Sequence, residues 1–272
     1  MEWRLLDTGS NNAFYNMAVD EAVMNAHRIG LVPPTVRFYQ WSSPALSLGY
    51  FQQAEKEVDA EYCKENNIDI VRRLTGGRAI LHDDELTYSI VIGEKTDFLP
   101  NNILESYKII SEGIINGLNS LGLAAELKLA KRKKKAPSGF SAACFDAPSL
   151  NEVVVAEKKL VGSAQTRQKG VILQHGSIPI TINADQLYRT LKMPGQRVRE
   201  RMKKRFLKKA TAVNQESDKK IEITDLKKAI KKGWEKRFGI KLITGELIDE
   251  EEEWVEKLSK EKYNCYNWIY KR

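Results

Sequence analysis

Between residues 13 and 26 the apolar side chains recur one helical turn apart, with Phe14, Met17 and Ala18 sharing a side with Glu21. Asn11 and Asn12 precede this run as N-caps and Gly30 follows it, so a helix over 13–26 is predicted behind a short first strand at Leu5 and Leu6. Thr35–Trp41 alternates with period two and reads as a strand, and residues 45–50 read as another. The amphipathic stretch 52–66 predicts one helix, which carries Cys63 as a packing residue. Residues 68–73 form a strand that runs into Thr75-Gly76-Gly77, and 85–92 form the next. Ile109, Ile110, Ile114 and Leu118 make the core stripe of a helix over 103–121. Strands follow at Glu126–Leu129, 152–155, 159–163 and 171–174, with 177–182 continuing the last or pairing beside it. From Ala184 the pattern turns helical, at 185–191, 198–207, 224–238 and 250–260, with Pro194-Gly195 as punctuation.

The expectation is an α+β portion over residues 1–190 and a shorter, charged, mainly helical extension over 191–272 that packs on it. With 272 residues and 42% hydrophobic content the chain can bury a substantial core. It contains no apolar run long enough to span a bilayer, and its first residues lack the basic-then-apolar form of a signal peptide, so a cytoplasmic protein is expected. Three widely spaced cysteines argue against a disulfide framework, and three histidines without ligand spacing argue against a metal site.

The net charge of +8 is unevenly placed. Residues 131–135 and 197–209 are basic runs, and 249–253 is an acidic one. Basic excess favours an anionic partner. Few aromatics interleave the basic residues of the tail, and no base-stacking motif accompanies them, which sets nucleic acid aside.

Candidate chemistry lies in three places. In the first, Gly76 and Gly77 follow a strand, flanked by Arg73 and Arg78, with His82 beyond. Such a turn brings backbone N–H groups close to a ligand oxygen. In the second, Gly162-Ser163-Ala164-Gln165 and Gln174-His175-Gly176-Ser177 put small residues on neighbouring strands, where they either pack tightly or admit a ligand chain. In the third, Cys144 stands in a Ser/Gly/Ala-rich loop between Pro137 and Pro148, either as an ordinary small hydrophobe or as a nucleophile.

Arg72-Arg73-Leu74-Thr75-Gly76-Gly77-Arg78-Ala79-Ile80-Leu81-His82, Lys159-Leu160-Val161-Gly162-Ser163-Ala164-Gln165 and Leu173-Gln174-His175-Gly176 resemble, in order and spacing, the biotin/lipoate A/B protein ligase family. With Ala143-Cys144-Phe145-Asp146-Ala147-Pro148-Ser149 added, the chain looks most like that family's octanoyltransferase branch, found in bacteria related to Bacillus. The resemblance implies the biotinyl/lipoyl-transferase (class II synthetase-like) fold: a mixed, largely antiparallel sheet flanked by helices, here with a helical C-terminal extension. It implies transfer of octanoyl from octanoyl-acyl carrier protein to a lysine of the glycine cleavage H protein or another lipoyl domain, in lipoate assembly. Cys144 would carry the acyl group and Lys159 would act on the thiolate and the carbonyl. Arg73, Thr75, Gly76, Gly77, Arg78, His82, Gly162, Ser163, Ala164, Gln165, His175 and Gly176 would bind substrate.

The alternative is an ATP-dependent lipoate–protein ligase. Against it, Arg78 stands where those ligases resemble a third glycine, and Asn151-Glu152 where they carry Asn-Asp. The ligases also lack a nucleophilic cysteine in this loop. No ATP, no other cofactor, no metal, no nucleic acid and no membrane are expected.

Overall fold

In the computed structural model, which describes residues 1–129 and 151–271, the alternating segments assemble around one large sheet. Its strands are β1 (Glu2–Asn11), β2 (Thr35–Trp41), β6 (Glu85–Gly93), β7 (Glu126–Leu129), β8 (Asn151–Val155), β9 (Lys158–Gln168), β10 (Val171–Pro179) and β11 (Lys241–Gly245). They lie in the order β11-β1-β2-β6-β10-β9-β8-β7. The β11–β1 and β1–β2 pairs are parallel and the others antiparallel. A small second sheet holds β3 (Ala45–Leu48), β4 (Asp69–Arg72) and β5 (Ile80–His82), with β3 in the middle. The expected mixed, largely antiparallel sheet with flanking helices is therefore present.

Helices cover both faces of the large sheet. On one face lie α1 (Ala13–Arg28) and α8 (Asp249–Leu258), which runs on through a π-turn at Ser259–Tyr263. Asn12 caps α1 by accepting from the Tyr15 N–H at 2.9 Å. Because α1 is wedged between sheet and α8, it is buried nearly all round, and the polar residues carried inward are Asn16 and Asp20, not Glu21. Glu21 instead meets Lys262 and Tyr263. Arg4 of β1 and Glu251 of α8 form a buried two-pronged ion pair at 2.7 and 2.6 Å, which ties the layers together.

On the other face α4 (Ile103–Ser120) crosses α7 (Ile223–Phe238). The crossing is close at Gly113 and Gly233: a Cβ on Gly233 would fall 2.1 Å from the Gly113 carbonyl oxygen. That approach sets Trp234 under Phe38 and Tyr88 of the sheet, with ring centroids 5.8 and 5.3 Å away.

A third cluster joins the small sheet to α2 (Ala54–Glu57), α3 (Ala60–Glu65), α5 (Ala184–Arg189) and α6 (Gln196–Leu207). The single helix expected over 52–66 is two. Val58 is extended and bridges Leu191, and Asp59 restarts the helix by accepting from the Tyr62 N–H at 3.0 Å. The extension also supplies more than helices. β11 adds an edge strand with Leu242 as its inward residue, and α9 (Tyr266–Ile269) closes over the small sheet. The strands are also longer than expected: β9 continues past Ser163 to Gln168, and β10 is one run through Pro179. Among the described residues no helix is long and apolar enough to cross a membrane.

Candidate active site

β2, β5, β9, β10 and the N-terminal half of α1 border a cavity of about 260 Å³. Its apolar wall is Met17, Tyr39, Trp41 and Ile80. Arg73, Gly77, Arg78 and His82 come to it from the small sheet, and Lys159, Gly162, Ser163, Ala164, His175 and Gly176 from the large one. Residues 73–82 thus meet residues 159–177, which lie more than seventy residues further along the chain, at one place.

Arg73 organises the turn. Its Nη2 donates to the carbonyls of Gly76 and Arg78, both at 2.8 Å, and its Nη1 donates to the carbonyl of Ser47 at 2.9 Å. Gly77 has φ +93° and a Cβ there would lie 2.8 Å from the Arg73 guanidinium, while a Cβ on Gly49 would lie 2.0 Å from the Gly77 carbonyl oxygen. The turn is therefore pressed backbone against backbone onto the end of β3, which only glycine permits at Gly49 and Gly77. Gly76 is different: a Cβ on it would meet nothing nearer than the Phe51 ring at 3.8 Å.

Two matching relays converge on the same guanidinium. In one, Arg73 Nε donates to Thr75 Oγ1 at 3.2 Å, Thr75 meets His175 Nε2 at 2.7 Å, and His175 Nδ1 meets Asp20 at 3.0 Å. In the other, Arg73 Nη1 donates to Ser47 Oγ at 3.1 Å, Ser47 meets His82 Nε2 at 2.7 Å, and His82 Nδ1 meets Glu85 at 2.8 Å. The partners assign the hydrogens. A carboxylate only accepts, so each Nδ1 carries a proton, and at His175 the Nε2 then accepts from the Thr75 hydroxyl, whose oxygen accepts from Arg73. The order acid, imidazole, hydroxyl is that of a nucleophilic triad, but here Arg73 holds both hydroxyls, so they fix position instead of attacking.

Both carboxylates are anchored again from behind. Asp20 accepts from Arg37 and from Ser89, each at 2.8 Å. Glu85 accepts from Trp41 Nε1 at 3.1 Å, from Ser177 at 2.6 Å and from Thr87. Burial alone would raise both carboxyls. The His175 hydrogen bond and Arg37 outweigh it at Asp20, and the His82 charge and hydrogen bond at Glu85, so both lie below the ordinary carboxylate value. Burial, against the opposing pull of Asp20, holds His175 below the ordinary imidazole value, with Arg73 and His82 acting in the same direction as burial. His82 also stacks flat on Trp41, with centroids 4.0 Å apart at 12°.

Lys159 is 5% exposed and pairs with Glu152 at 3.1 Å. Its backbone is gripped by the chain beyond α6: the Lys159 N–H donates to the Lys209 carbonyl at 2.7 Å, and the Thr211 N–H donates to the Lys159 carbonyl at 3.0 Å. Ser163 meets the Tyr88 hydroxyl at 2.8 Å. Gln165 lies off the cavity and donates to Gln174 at 3.0 Å. Cys144 lies outside the described residues. Of the described cysteines, Cys63 is buried in the third cluster, with its thiol pushed up to about 12 by burial and then by Asp59, and neither Cys63 nor Cys265 lines the cavity. Among the described residues no cluster of metal-ligating side chains occurs.

Sequence reading passed over Asp20, Ser47 and Glu85. A usable signal was there: β6 reads Glu-Leu-Thr-Tyr-Ser, and Glu85, Thr87 and Ser89 put a polar face on a strand buried on both sides.

The lipoyl protein ligase A/B catalytic domain model matches residues 12–235. The octanoyltransferase LipM of Halalkalibacterium halodurans is 46% identical, with 99% of each chain covered. The octanoyltransferase LipM of Bacillus subtilis is 44% identical over 99% of this chain and 98% of its own. Among solved structures, the bi-partite lipoate protein ligase of Thermoplasma acidophilum, described with its E2 lipoyl domain, superposes with a TM-score of 0.83 at 28% identity, covering 99% of this chain and 96% of that one. A lipoate-protein ligase A bound with ATP superposes at 0.79 and 29% identity, covering 99% of each chain.

Proposed function

Because this chain belongs to the lipoyl protein ligase A/B catalytic domain family, we propose that it transfers octanoyl from octanoyl-acyl carrier protein to a lysine of the glycine cleavage H protein or another lipoyl domain, in lipoate assembly. The observation that carries this reading is the convergence of the Arg73–Arg78 turn, Lys159, the small residues 162–164 and His175-Gly176 on one apolar-walled cavity. Burying the seven apolar carbons of an octanoyl chain at about 0.8 kcal/mol each contributes about 5–6 kcal/mol of binding.

The chemistry proceeds in two thioester steps. The thiolate of Cys144 attacks the octanoyl carbonyl, a new carbon–sulfur bond forms, the carrier's carbon–sulfur bond breaks, and the carrier leaves as a thiolate that takes up the proton the Cys144 thiol gave up. The amine of the acceptor lysine then attacks the acyl-enzyme, an amide bond forms, the Cys144 sulfur leaves, and the amine gives up a proton. Lys159 favours the thiolate and binds the carbonyl oxygen as negative charge builds on it. Arg73 and its two relays hold the turn that borders the same cavity as Lys159. The donor is already activated, so ATP is not consumed.

Mixing the protein with octanoyl-acyl carrier protein, without ATP, should add one octanoyl group by intact mass, labile to hydroxylamine. Cys144→Ala should abolish the adduct and the transfer. An unchanged transfer rate in Cys144→Ala overturns the acyl-enzyme. Because a related structure holds ATP, free octanoate or lipoate with Mg-ATP is the control, and rapid pyrophosphate release would select the ligase reading instead.

A further inference from the structure

The basic run at 197–209 does not enter the cavity, yet its end is hydrogen-bonded to the backbone of Lys159, which lines it. One side of α6 is apolar, with Met202 and Phe206 buried in the third cluster. The other side is cationic. Arg197, Arg201, Lys204, Arg205 and Lys208 recur at the spacing of a single helical stripe, and all five are exposed. The other cations of the helix turn inward: Lys203 pairs with Asp185 at 2.7 Å and Glu200 at 2.9 Å, and Arg199 donates to the Tyr188 carbonyl at 3.1 Å.

Like charges four residues apart weaken a helix, and an anionic partner laid on the stripe removes that penalty. The stripe ends at Lys208, beside the residues 209–211 that hydrogen-bond the Lys159 backbone. From there it extends away by about 17 Å, at 1.5 Å per residue. A lysine of an acceptor is four methylenes long, so its domain must sit at the cavity mouth. A carrier protein bears its acyl group on a long pantetheine arm and can lie along the helix while the arm reaches Lys159.

The geometry points to the exposed basic stripe of α6 as the docking site of the donor, an acidic carrier protein. This inference rests on the transfer reading above and identifies where one of its substrates binds.

The test is the charge-reversed variant Arg201→Glu/Lys204→Glu/Lys208→Glu, with the three Gln substitutions as a milder second variant. Two donors are compared: octanoyl-acyl carrier protein and octanoyl-pantetheine, which is the arm without its protein. Enzyme acylation is followed as released thiol, and discharge to a lipoyl domain is followed separately. KM for the carrier-bound donor should rise at least about tenfold, with kcat and the octanoyl-pantetheine rate held within about twofold. The Gln variant should lie between, and added salt should slow the native protein towards the reversed variant.

An unchanged KM for the carrier donor overturns the inference. Equal loss with octanoyl-pantetheine does so too, because α6 would then act only through the fold around Lys159. So does intact acylation with slowed discharge, which would make the acceptor the occupant. Fluorescence anisotropy of a labelled carrier protein separates this inference from the reading it rests on. If the native protein transfers octanoyl from neither donor, the transfer reading fails, whereas binding of the carrier that the charge reversal does not weaken disproves the docking site.

Discussion

Thr75 and His175 share a 2.7 Å hydrogen bond across a hundred residues of sequence, and through it the turn of the small sheet is locked to the centre of the large one. The hydroxyl faces both ways, accepting from Arg73 and donating to the imidazole. Thr75→Val keeps the shape and removes both bonds, leaving His175 Nε2 and Arg73 Nε without that partner. The expected loss of stability is about 1–3 kcal/mol, read as a lower urea midpoint with an unchanged slope. Thr75→Ser should stay close to the native protein. If Thr75→Val is as stable as Thr75→Ser, the hydroxyl does not carry the link.

The same chain of partners requires neutral His175. Its folded value lies below the ordinary 6.5, so as pH falls through 6.5 the unfolded chain takes up a proton that the folded one refuses. Stability is therefore full above that pH and declines as pH falls from about 6.5 towards the depressed value. Asp20 and Glu85, both held low, add a further loss at lower pH as they too are protonated. Urea midpoints measured at a series of pH values should show the first decline in the native protein and lack it in His175→Gln. Parallel curves for the two proteins would assign the decline to another group.

Gly76 and Gly77 should respond differently to the same change. Gly77→Ala forces a side chain into positive φ and against the Arg73 guanidinium, at a cost of about 1–3 kcal/mol. Gly76→Ala meets open space beside Phe51 and should leave stability within about 0.5 kcal/mol. Thermal midpoints of the two variants decide the matter, and a Gly76→Ala that is the less stable of the pair contradicts the geometry.

On the proposed chemistry, Lys159→Ala should lower the acylation rate by about 10²–10³-fold, the usual effect of removing one donor from a developing oxyanion. It should also shift the pH profile of Cys144 alkylation by iodoacetamide to higher pH. Lys159→Arg keeps the charge without the shape, and should restore the profile more than the rate. Superimposed alkylation profiles for the three proteins would confine Lys159 to carbonyl binding.

Much of this architecture is legible in the sequence because long buried elements carry their period openly. α1, β2, β6, α4 and α7 are such cases. β11 escaped because an edge strand needs only one inward residue, Leu242, and leaves its flanking Lys241 and Ile243 exposed. The break at Val58 escaped because the amphipathic pattern runs through it, and the cap at Asp59 is a local hydrogen bond that the period does not record. In the site, the motif residues were legible through the family resemblance of their segments, whereas Asp20 and Glu85 were not. A buried carboxylate is defined by partners that approach from Arg37, His175, His82 and Ser177, and no local pattern lists residues that distant.

Arg72, one residue before the hub of the turn, is fully buried. Its guanidinium donates to the carbonyls of Gly49, Tyr50 and Gln52, and to those of Trp268 and Ile269, which lie 196 and 197 residues downstream. The Trp268 indole answers by donating to the Arg72 carbonyl at 2.9 Å. The consequence concerns time. At ~5–20 residues per second of synthesis, a ribosome needs roughly 10–40 s to travel from Arg72 to the carbonyls that finally cover its charge. Until then the strand that feeds the turn lacks its last brace, so the support behind the Arg73–Arg78 turn is completed only after every residue that lines the cavity has been made.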